Sequence, residues 1–403
     1  MIRIPGCGRK REGLVGKAMP VRIMHVVDSL GRGGLENGLV NLINRLDPDC
    51  FEHIVLTMRH LGPNVDRLPS DRVRVACLGK KDPGSRFQVP ALARAIGEFR
   101  PDIVHSRNWA AVEAVIAGRW HRHCALVHSE HGIVSSPNAK EPRRRSWFRR
   151  LAFELADRVL SVSYQLRDLH SARTGFPAER ITVIHNGVDG RRFFPNPAAR
   201  ARIRQELRIG DQEFCIGCVG NLLPVKDHMT LLKALGEMTD AAGDWRLLLV
   251  GEGPERSKLE AFVDAHPGWK ARVSLLGSSN RVPELLHAMD VYVLSSISEG
   301  ISNSLLEAMS SGIPVVVTDT GGNPEVVADR ESGLLFPVGD VHALTEHLLL
   351  LRGRNDLRQQ LAERASRGVR EAFSLDSMVE KYAELYTSLV PAVNTAVRTA
   401  AGV

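Results

Sequence analysis

The sequence lacks a long apolar run. No stretch of the 403 residues approaches the roughly 18 uninterrupted apolar side chains that a membrane-spanning helix requires. The first 20 residues are basic but contain no apolar segment of the kind found in a secretory signal. We therefore expect a protein that neither spans a membrane nor is exported, with residues 1–20 forming a loose basic leader. Because Met19 directly precedes the first strand-like run, translation from Met19 rather than Met1 is a second expectation.

Cysteine is scarce, and its spacing is not that of a disulfide scaffold. Six cysteines in the whole chain favour a reducing cytoplasm. Cys215 and Cys218 stand three apart in EFCIGCVGN, but no second CxxC or HxxxH pair exists to complete a metal site. Residues three apart in a strand point to opposite faces, so we predict two buried strand thiols.

The motifs of several common enzyme classes are absent from the sequence. It contains no HExxH, Walker loop or nucleophile elbow, which argues against the corresponding metalloprotease, NTPase and hydrolase sites. The acidic pair Asp47 and Asp49 follows a predicted helix and is far along the chain from every motif discussed below. We interpret this pair as a turn and predict no metal site.

Positive charge is concentrated in the first half of the chain. Residues 1–200 contain 33 Lys and Arg against 19 Asp and Glu, whereas residues 201–403 contain 20 against 27. This asymmetry indicates an anionic partner for the first half: a membrane surface, a lipid phosphate or a nucleic acid. Hydrophobic content of 43% and charged content of 25% are typical of a globular chain with about two to three domains.

Short β-rich runs alternate with amphipathic stretches of helical length, a pattern typical of βα units that build parallel sheets. The predicted strands are residues 21–27, 53–58, 73–78, 102–106, 125–130, 159–163, 181–184, 214–220, 245–251, 272–277, 291–296 and 314–318. Segment 191–212 interrupts this rhythm and is interpreted as a linker. We predict an α/β protein with domains over 21–190 and 213–372, a C-terminal helix over 373–390 and a frayed tail over 391–403. Functional residues are expected in the loops that follow the strands, where doubly wound sheets bind ligands.

Two loops of the first half carry residues suited to a polar ligand. Gly33 and Gly34 follow the first strand and precede a helix, where glycine lets backbone N–H groups approach an anion. A tight turn without a ligand is the alternative, because GxGxxG is not completed. His131 follows the fifth strand in HSEHG, where it can be structural or can donate a hydrogen bond to a substrate hydroxyl or phosphate.

Two loops of the second half carry a basic residue after glycines. Lys226 in VGNLLPVKDH lies near a predicted helix start, where a lysine can pair with a phosphate or remain a solvated surface residue. Arg256 in VGEGPERSKL follows the next strand and is a weaker signal of the same kind.

The most informative segment is SSISEGISNSLLEAMSSGIPVVVTD, residues 295–319. It places Glu299 in a glycine-containing loop and Glu307 in the following helix. Between them, backbone N–H groups at a helix start are available from Gly300, Ile301, Ser302 and Asn303. The alternatives are a capping box that pairs Ser304 with Glu307, and a Glu299 that only faces water. A phosphate-bearing ligand with many hydroxyls would suit such a site.

The motifs HNGVD, GNLLPVK, GEGPER, the two glutamates of SEGISNSLLE, GGNPEVV and SGLLFPVGD follow one another in this order. Together they resemble glycosyltransferase family 4, whose members are retaining enzymes of the GT-B fold, and the resemblance covers about residues 21–390. It implies two Rossmann-like βαβ domains that face each other across a cleft, with the C-terminal helix crossing back. It also implies that the second domain binds a nucleotide-sugar and the first binds the acceptor.

The resemblance assigns roles position by position. It implies that Glu307 holds the ribose hydroxyls of the donor and that Glu299 holds the hydroxyls of the transferred sugar. Lys226 would neutralise the departing diphosphate, Gly33–Gly34 would supply backbone near it, and His131 would lie beside the donor sugar. Preorganised donors can stabilise a leaving diphosphate without a metal, so no cofactor is expected.

One position departs from the family pattern. Asn221 stands where the family usually has an arginine, so one of two phosphate-facing cations is missing. Asn221 can donate a hydrogen bond but carries no charge. Two expectations follow: either Arg256 or an arginine of the first domain compensates, or turnover is low.

A basic stretch with interleaved aromatic residues, EPRRRSWFRRLAFEL, is predicted to be a helix that contacts an anionic membrane surface. Its candidate contact residues are Arg143, Arg144, Arg145, Trp147, Arg149 and Arg150. A solvated helix face and a nucleic-acid patch are the alternatives, and we expect no nucleic-acid partner.

These patterns predict a cytoplasmic, peripherally membrane-associated, metal-independent retaining glycosyltransferase. It would move a sugar from a UDP- or GDP-sugar to a glycan or lipid-linked acceptor in cell-surface polysaccharide biosynthesis. A nucleotide-sugar 2-epimerase of the same fold and a noncatalytic nucleotide-sugar or membrane-surface binding protein are the alternatives. The nucleotide base, the sugar, the acceptor and the linkage depend on pocket shape rather than on these motifs.

Overall fold

The computed structural model describes residues 19–80, 88–132, 141–238 and 244–390. These residues fall into two compact units. The first unit takes the chain up to His131, residues 141–185, and the chain from Asp376 onward, and the second unit takes Asn186–Leu375. The predicted leader over 1–20, apart from its last two residues, and the predicted tail over 391–403 lie outside the described residues.

The first unit contains a seven-stranded parallel sheet. Its strands are β1 (Val21–Ser29), β2 (Phe51–His60), β3 (Val73–Cys77), β4 (Ile103–Arg107), β5 (Ala125–Glu130), β6 (Arg158–Ser161) and β7 (Ile181–Val183), in the spatial order β3-β2-β1-β4-β5-β6-β7. Its helices are α1 (Gly34–Arg45), α2 (Val89–Phe99), α3 (Glu113–Gly118), α4 (Arg143–Leu155) and α5 (Tyr164–Thr174). Helices cover both faces, since Met24 and Ile54 pack with α2 and α3 while Val27 and Val55 pack with α1.

The second unit contains a six-stranded parallel sheet. Its strands are β8 (Phe214–Val219), β9 (Trp245–Val250), β10 (Val273–Gly277), β11 (Val291–Leu294), β12 (Val315–Thr318) and β13 (Leu334–Phe336), in the order β10-β9-β8-β11-β12-β13. Its helices are α6 (Pro197–Glu206), α7 (His228–Glu237), α8 (Arg256–Asp264), α9 (Trp269–Arg272), α10 (Val282–His287), α11 (Asn303–Ser310), α12 (Asn323–Val326), α13 (Val341–Gly353) and α14 (Asn355–Ala372). All twelve predicted strands are present. Strand β13 was not predicted, because three residues are too short for a periodic pattern.

The two cysteines of β8 point into different cores, as their spacing predicted. Cys215 packs in the cluster that includes Leu305 and Met309 of α11, and Cys218 packs in the cluster that includes Leu231 of α7. Burial raises the pKa of each thiol to about 12. Both are free, buried thiols in the interior of a sheet.

The segment interpreted as a linker, residues 191–212, differs in the structure from that interpretation. It contains α6, which begins at the N-cap Asn196 and packs into the second unit through Ile203. Arg204 is buried, donates to the carbonyl oxygen of Ala288 at 3.0 Å and forms an ion pair with Asp290 at 3.1 Å. The segment has few apolar residues, but the hydrogen bonds of Arg204 to carbonyl groups and its ion pair with Asp290 also anchor the helix.

The C-terminal helix α15 (Leu375–Leu389) groups with the first unit from Asp376 onward, as the predicted crossing-back requires. Tyr386 and Tyr382 are buried on its inner face, and Tyr386 lies edge-on to Phe51 of β2. Asp376 forms an ion pair with Arg45 of α1 at 3.2 Å. The end of the chain therefore completes the core of the first unit.

Candidate functional site

The strand order of the second sheet reverses at β8, which lies between β9 and β11. All its strands are parallel, so the loops after β8, β9, β11 and β12 leave the same edge of the sheet. Such a reversal is where open α/β sheets bind ligands. These loops contain the predicted donor-binding residues of the second half of the chain.

The loops after β8 and β9 are in backbone contact, and glycines make this possible. Gly251 has a φ of +155°, and a Cβ atom there would lie 1.9 Å from the carbonyl oxygen of Gly220. A Cβ atom on Gly253 would lie 2.4 Å from the carbonyl oxygen of Leu222. The amide of Leu222 donates to the carbonyl oxygen of Glu252 at 2.9 Å. The glycines of GEGPER therefore shape the loop that carries Lys226.

Lys226 and Glu299 form an ion pair, although they are 73 residues apart in sequence. Their side chains are 19% and 10% exposed, so the charges lie at a sheet edge with little access to water. Ser296 donates a hydrogen bond to Oε1 of Glu299 at 2.7 Å. The amide of Ile297 donates to the carbonyl oxygen of Val225 at 2.8 Å, which fixes the two loops to each other.

The loop after β12 holds the backbone of Glu299 and Gly300 from the other side. Gly321 has a φ of +60°, and a Cβ atom there would lie 2.2 Å from the carbonyl oxygen of Glu299. The amide of Gly322 donates to the carbonyl oxygen of Gly300 at 2.8 Å. Only glycine allows the chain to approach this closely, so this pair sets the position of the Glu299 loop.

Helix α11 follows this loop, and its N-cap is Ser302, whose hydroxyl accepts a hydrogen bond from the amide of Leu305 at 3.4 Å. The capping box predicted as an alternative, between Ser304 and Glu307, is therefore wrong, because Ser304 already lies inside the helix. Glu307 is half-buried in the second turn. Ser304 instead shares a hydrogen bond of 2.8 Å with the hydroxyl of the buried Tyr292.

The loop that enters α11 presents backbone donors. Within the described ranges, the amide N–H groups of Gly300, Ile301 and Ser302 donate to no protein acceptor. The side chain of Asn186, from the HNGVD motif, donates to the carbonyl oxygen of Ile301 at 2.9 Å and supports this loop. A row of amide donors at a helix start is suited to bind an anionic or hydroxyl-rich ligand.

Asn221 and Arg256 are at the same sheet edge but differ in how their side chains are used. Asn221 is half-buried in the loop after β8. The guanidinium of Arg256 forms ion pairs with Glu252 at 2.6 Å and Glu260 at 2.8 Å, and it donates to the carbonyl oxygen of Leu275. Its charge is already offset by two carboxylates, so this geometry does not support the expected compensation for Asn221.

Gly33 and Gly34 lie at the carboxyl edge of the first sheet, where β1 leads into α1. Gly33 is the N-cap in an extended conformation, and Gly34 begins the helix. The carboxylate of Glu36 folds back over Gly33, since a Cβ atom on Gly33 would lie 2.3 Å from it. Burial raises the pKa of Glu36 to about 7, with Asp28 adding to this rise. This carboxyl, which the sequence analysis did not single out, is therefore partly protonated at neutral pH.

His131 follows β5 at the same edge of the first sheet. Its backbone amide donates to Oδ1 of Asn108 at 2.7 Å, and its Nε2 lies 2.8 Å from Oγ of Ser129. Burial, assisted by the positive charge of Arg107, lowers its pKa to about 3. His131 is therefore neutral, with its backbone held by Asn108 and its ring by Ser129.

The basic helix α4 does not present all of its predicted contact residues to solvent. Arg149 is buried and forms ion pairs with Glu130 at 2.7 Å and with Glu141, so its prediction as a membrane contact is wrong. Burial alone would raise the pKa of Glu130, but His170, Arg149 and His128 hold it well below its usual range. Arg149 lies one helical turn before Phe153, which is fully buried, and this face of α4 therefore turns inward.

The other basic residues of α4 divide into two groups. Arg145 lies over the ring of Trp109 at 4.7 Å and pairs with Glu141, and Arg150 pairs with Glu154. The exposed group is Arg143, Arg144 and Trp147, of which Trp147 is 61% exposed. The membrane hypothesis therefore depends on these three residues.

Two absences apply to the described part of the chain. In residues 19–80, 88–132, 141–238 and 244–390, no cluster of three or more His, Cys, Asp or Glu side chains is arranged to hold a metal ion. In the same ranges, no helix combines the length and apolar content needed to cross a membrane.

Several site residues escaped the sequence analysis. Ser296, Gly321, Gly322 and Asn186 received no role, although each lies in a motif that the sequence made visible. The glycine pair in the loop after β12 was the available signal, because adjacent glycines close to a strand end mark a close approach of backbones.

Comparison with known proteins agrees with this geometry. Residues 32–192 match the family model described as Glycosyltransferase Family 4, and residues 199–368 match the model described as Glycosyl transferases group 1. The chain is 30% identical over 263 residues to the N-acetyl-alpha-D-glucosaminyl L-malate synthase of Bacillus anthracis. The matched region covers 65% of this chain and 67% of that protein. It is 25% identical over 391 residues to the UDP-Gal:alpha-D-GlcNAc-diphosphoundecaprenol alpha-1,3-galactosyltransferase of Escherichia coli, covering 92% and 97%.

Comparison with solved structures agrees with the observed fold. The structure of Anabaena HepE in complex with UDP and glucose superimposes with a TM-score of 0.78 at 23% identity, covering 91% of this chain and 100% of that one. Two Rossmann-like parallel sheets and a C-terminal helix that returns to the first unit are thus shared with the GT-B fold. The chain belongs to glycosyltransferase family 4 and is a glycosyltransferase of the GT-B fold.

Proposed function

We propose that this glycosyltransferase moves a sugar from a UDP- or GDP-sugar, with retention and without a metal, to a glycan or lipid-linked acceptor in cell-surface polysaccharide biosynthesis. The observation that carries the proposal is the pairing of Lys226 with Glu299 at the reversal point of the second sheet. One cation, one carboxylate and a row of open amides in one loop cluster suit a donor that combines a diphosphate with sugar hydroxyls.

We expect the donor to contact Lys226 and Glu299 with different parts of its structure. In the structure, the charge of Lys226 is paired with Glu299. A diphosphate close to Nζ would attract the lysine, and the carboxylate of Glu299 would then accept hydrogen bonds from sugar hydroxyls. Glu307, in the second turn of α11, would accept from ribose hydroxyls at the far end of the donor. The Escherichia coli relative is named for UDP-Gal, whereas a relative from Mycobacterium tuberculosis, 29% identical over 331 residues, is a GDP-mannose-dependent alpha-mannosyltransferase, so both UDP- and GDP-sugars are tested.

Ligand-induced stabilisation tests the donor class. The melting temperature is measured with UDP, GDP, ADP and their sugar conjugates in the presence of EDTA. A ligand at about 100 times its dissociation constant adds roughly 2.7 kcal/mol, a shift of several degrees. Glu307→Gln keeps the shape but loses the charge, so it is expected to weaken nucleotide stabilisation while the melting temperature without ligand stays within about 2 °C. No shift with any nucleotide would contradict the proposal.

Retention and metal independence have their own tests. In a same-face mechanism the leaving diphosphate is stabilised by Lys226 and backbone amides, and the enzyme contributes no nucleophile. The product anomer, followed by NMR before mutarotation, is expected to keep the configuration of the donor, and excess EDTA is expected to leave the rate unchanged. Inversion, or loss of activity that Mg²⁺ or Mn²⁺ restores, would contradict the mechanism. Product formed without any acceptor would favour the epimerase alternative.

The acceptor side of the proposal depends on the exposed part of α4. Arg143, Arg144 and Trp147 combine two charges with an aromatic ring, a combination suited to an anionic membrane surface. Peripheral attachment would bring the enzyme to a lipid-linked acceptor, and the Escherichia coli relative is named for an acceptor of that type. The enzyme would then act at the cytoplasmic face of the membrane.

Vesicle sedimentation tests this attachment. The double variant Arg143→Gln/Arg144→Gln is compared with Arg364→Gln/Arg367→Gln, which removes two exposed arginines from α14 of the second unit. Each arginine near an anionic leaflet contributes about 1 kcal/mol, so the α4 variant is expected to bind vesicles containing anionic lipid roughly 30-fold more weakly. Equal binding by both double variants would contradict a specific role for α4.

A further inference from the structure

A chain of buried polar side chains connects His131 to the interior of the first unit. Nε2 of His131 lies 2.8 Å from Oγ of Ser129, which lies 2.9 Å from Nε2 of His105. Nδ1 of His105 lies 2.8 Å from the hydroxyl of Tyr386 on α15 and 3.2 Å from the guanidinium of Arg107. Ser129, His105, Arg107 and Tyr386 are each at most 2% exposed. Protein groups alone therefore decide which way these hydrogen bonds point.

Arg107 sets the direction, because a guanidinium can only donate. Its Nη2 faces Nδ1 of His105 at 3.2 Å, and its Nη1 faces Nδ1 of His25 at 3.0 Å. Both Nδ1 atoms must therefore be unprotonated acceptors. Burial, followed by the charge of Arg107, holds the pKa of His105 and His25 well below the usual value, so neither ring carries a second proton. Each is neutral, with its single proton on Nε2.

The consequences at His25 and at Tyr386 agree with this direction. Nε2–H of His25 donates to Nδ1 of His53 at 3.0 Å, which leaves the proton of His53 on its own Nε2. The hydroxyl of Tyr386 lies 2.8 Å from the same Nδ1 of His105, so the single lone pair of that atom is shared between this hydroxyl and Arg107. No donor faces another donor along this path.

The same logic reaches His131. Nε2–H of His105 donates to Oγ of Ser129, and the hydroxyl proton of Ser129 then points to Nε2 of His131. If Nε2 of His131 carried a proton instead, Ser129 would receive two donors, and its own buried proton would have no acceptor among the described residues. The polarised chain therefore leaves the proton of His131 on Nδ1, an atom that has no protein partner in the described part of the structure.

We propose that Arg107 is a positioning residue that fixes His131 as the neutral Nδ1–H tautomer through His105 and Ser129, so that this N–H is available to a hydrogen-bond acceptor of the substrate. The proposal rests on the proposed function in one respect, that a substrate of the transfer reaches His131. It adds to that function a defined hydrogen-bond donor, the Nδ1–H of His131. The proton is kept on that atom by residues that do not touch the substrate. Tyr386 makes the C-terminal helix a part of the same arrangement.

The test is the tautomer of His131, read by NMR of the full-length protein with ¹⁵N-labelled histidine at pH 7. The His131 resonances are assigned by their loss in His131→Asn. We expect a protonated Nδ1 and an unprotonated Nε2 in the wild type. In Ser129→Ala, the acceptor role of Nε2 is lost, and we expect protonation of Nε2 to become detectable. Arg107→Met is expected to have the same effect.

The control variant is Ser106→Ala. Ser106 is an equally buried serine on the adjacent strand β4, and its hydroxyl lies 2.7 Å from Nδ1 of a different histidine, His128. It is expected to leave the tautomer of His131 unchanged. If Arg107→Met does not fold, Ser129→Ala decides the question alone, since it keeps the buried cation in place.

Kinetics provide the second readout. We expect kcat for transfer to fall about tenfold or more in Ser129→Ala, with the KM for the nucleotide-sugar within twofold, and to be unchanged in Ser106→Ala. A wild-type His131 with its proton on Nε2, or a Ser129→Ala variant with an unaltered tautomer, would overturn the relay whether or not the protein is a transferase. The expected tautomers with an unchanged kcat in Ser129→Ala would overturn the role of the Nδ1–H in transfer. Absence of transfer in the wild type would instead count against the proposed function.

Discussion

Replacing Gly321 with alanine tests whether the loop after β12 positions Glu299, and Gly339→Ala is its matched control. Both glycines have a positive φ, +60° at Gly321 and +75° at Gly339. Alanine in this left-handed region costs about 1–2 kcal/mol at either position. The two sites differ in their surroundings, because a Cβ atom on Gly339 has nothing within 4 Å, whereas one on Gly321 would lie 2.2 Å from the carbonyl oxygen of Glu299.

The additional effect at Gly321 follows from that contact. An ordinary contact begins at 3.4 Å, so the backbone of Glu299 must move by about 1 Å. Forced repacking of this kind costs roughly 1–3 kcal/mol beyond the conformational strain. A displacement of about 1 Å at a reacting group can lower the rate about 100-fold. We therefore expect Gly321→Ala to be less stable than Gly339→Ala by about 1–3 kcal/mol and also to lose most of its transfer activity.

Two measurements separate these effects. Urea unfolding gives the stability of the two variants, and initial rates at a saturating concentration of the donor that stabilises the wild type best give the activity. Gly339→Ala is expected to keep wild-type activity despite its lower stability. Equal stability loss in both variants, with unimpaired transfer by Gly321→Ala, would refute the argument that this glycine sets the position of Glu299.

The remaining predictions concern the first unit. The pKa of His53 is lowered to about 3, mainly by burial, so folding keeps it neutral and its contribution to stability is lost as the pH falls from about 6.5 toward 3. In that window the unfolding free energy of His53→Asn is expected to change less steeply with pH than that of the wild type, by about 1.4 kcal/mol per pH unit, and parallel curves would contradict this assignment. Arg149→Met removes the guanidinium that lies 2.7 Å from the buried carboxylate of Glu130 and is expected to cost about 3–5 kcal/mol in urea unfolding. The exposed Arg144→Gln should stay within about 0.5 kcal/mol, and similar losses in both variants would argue against the buried network.

The linear sequence determined the class of fold and the location of the loops that matter. Alternation of β-rich and helical segments depends on neighbours within a few residues, and twelve of the thirteen strands in the described chain were therefore predictable. The glycine-containing motifs after β8, β9, β11 and β12 were visible for the same reason. The family followed from their order, and the structure and the comparisons confirmed it.

Only the tertiary structure decided which of these residues meet. The ion pair of Lys226 with Glu299 and the contact of Gly321 with Glu299 depend on β8, β11 and β12 being neighbours in the sheet. Local sequence favoured a cap at Ser304, whereas the backbone held by Gly322 starts α11 two residues earlier, after Ser302. Capping patterns recur within one turn of helix, so sequence alone could not choose between two nearby serines.

In the first unit, too, the sequence predicted an element and the tertiary structure decided its contacts. A run of arginines predicted a basic helix, but the burial of Arg149 was decided by Glu130 on the neighbouring strand β5. The path from Arg107 to His131 uses side chains of β4 and β5. Tyr386 of α15, which contacts His105 in this path, is 281 residues away from it in the sequence. Sequence patterns record periodicity along one element, whereas the direction of a buried hydrogen bond depends on which donors and acceptors several elements bring together.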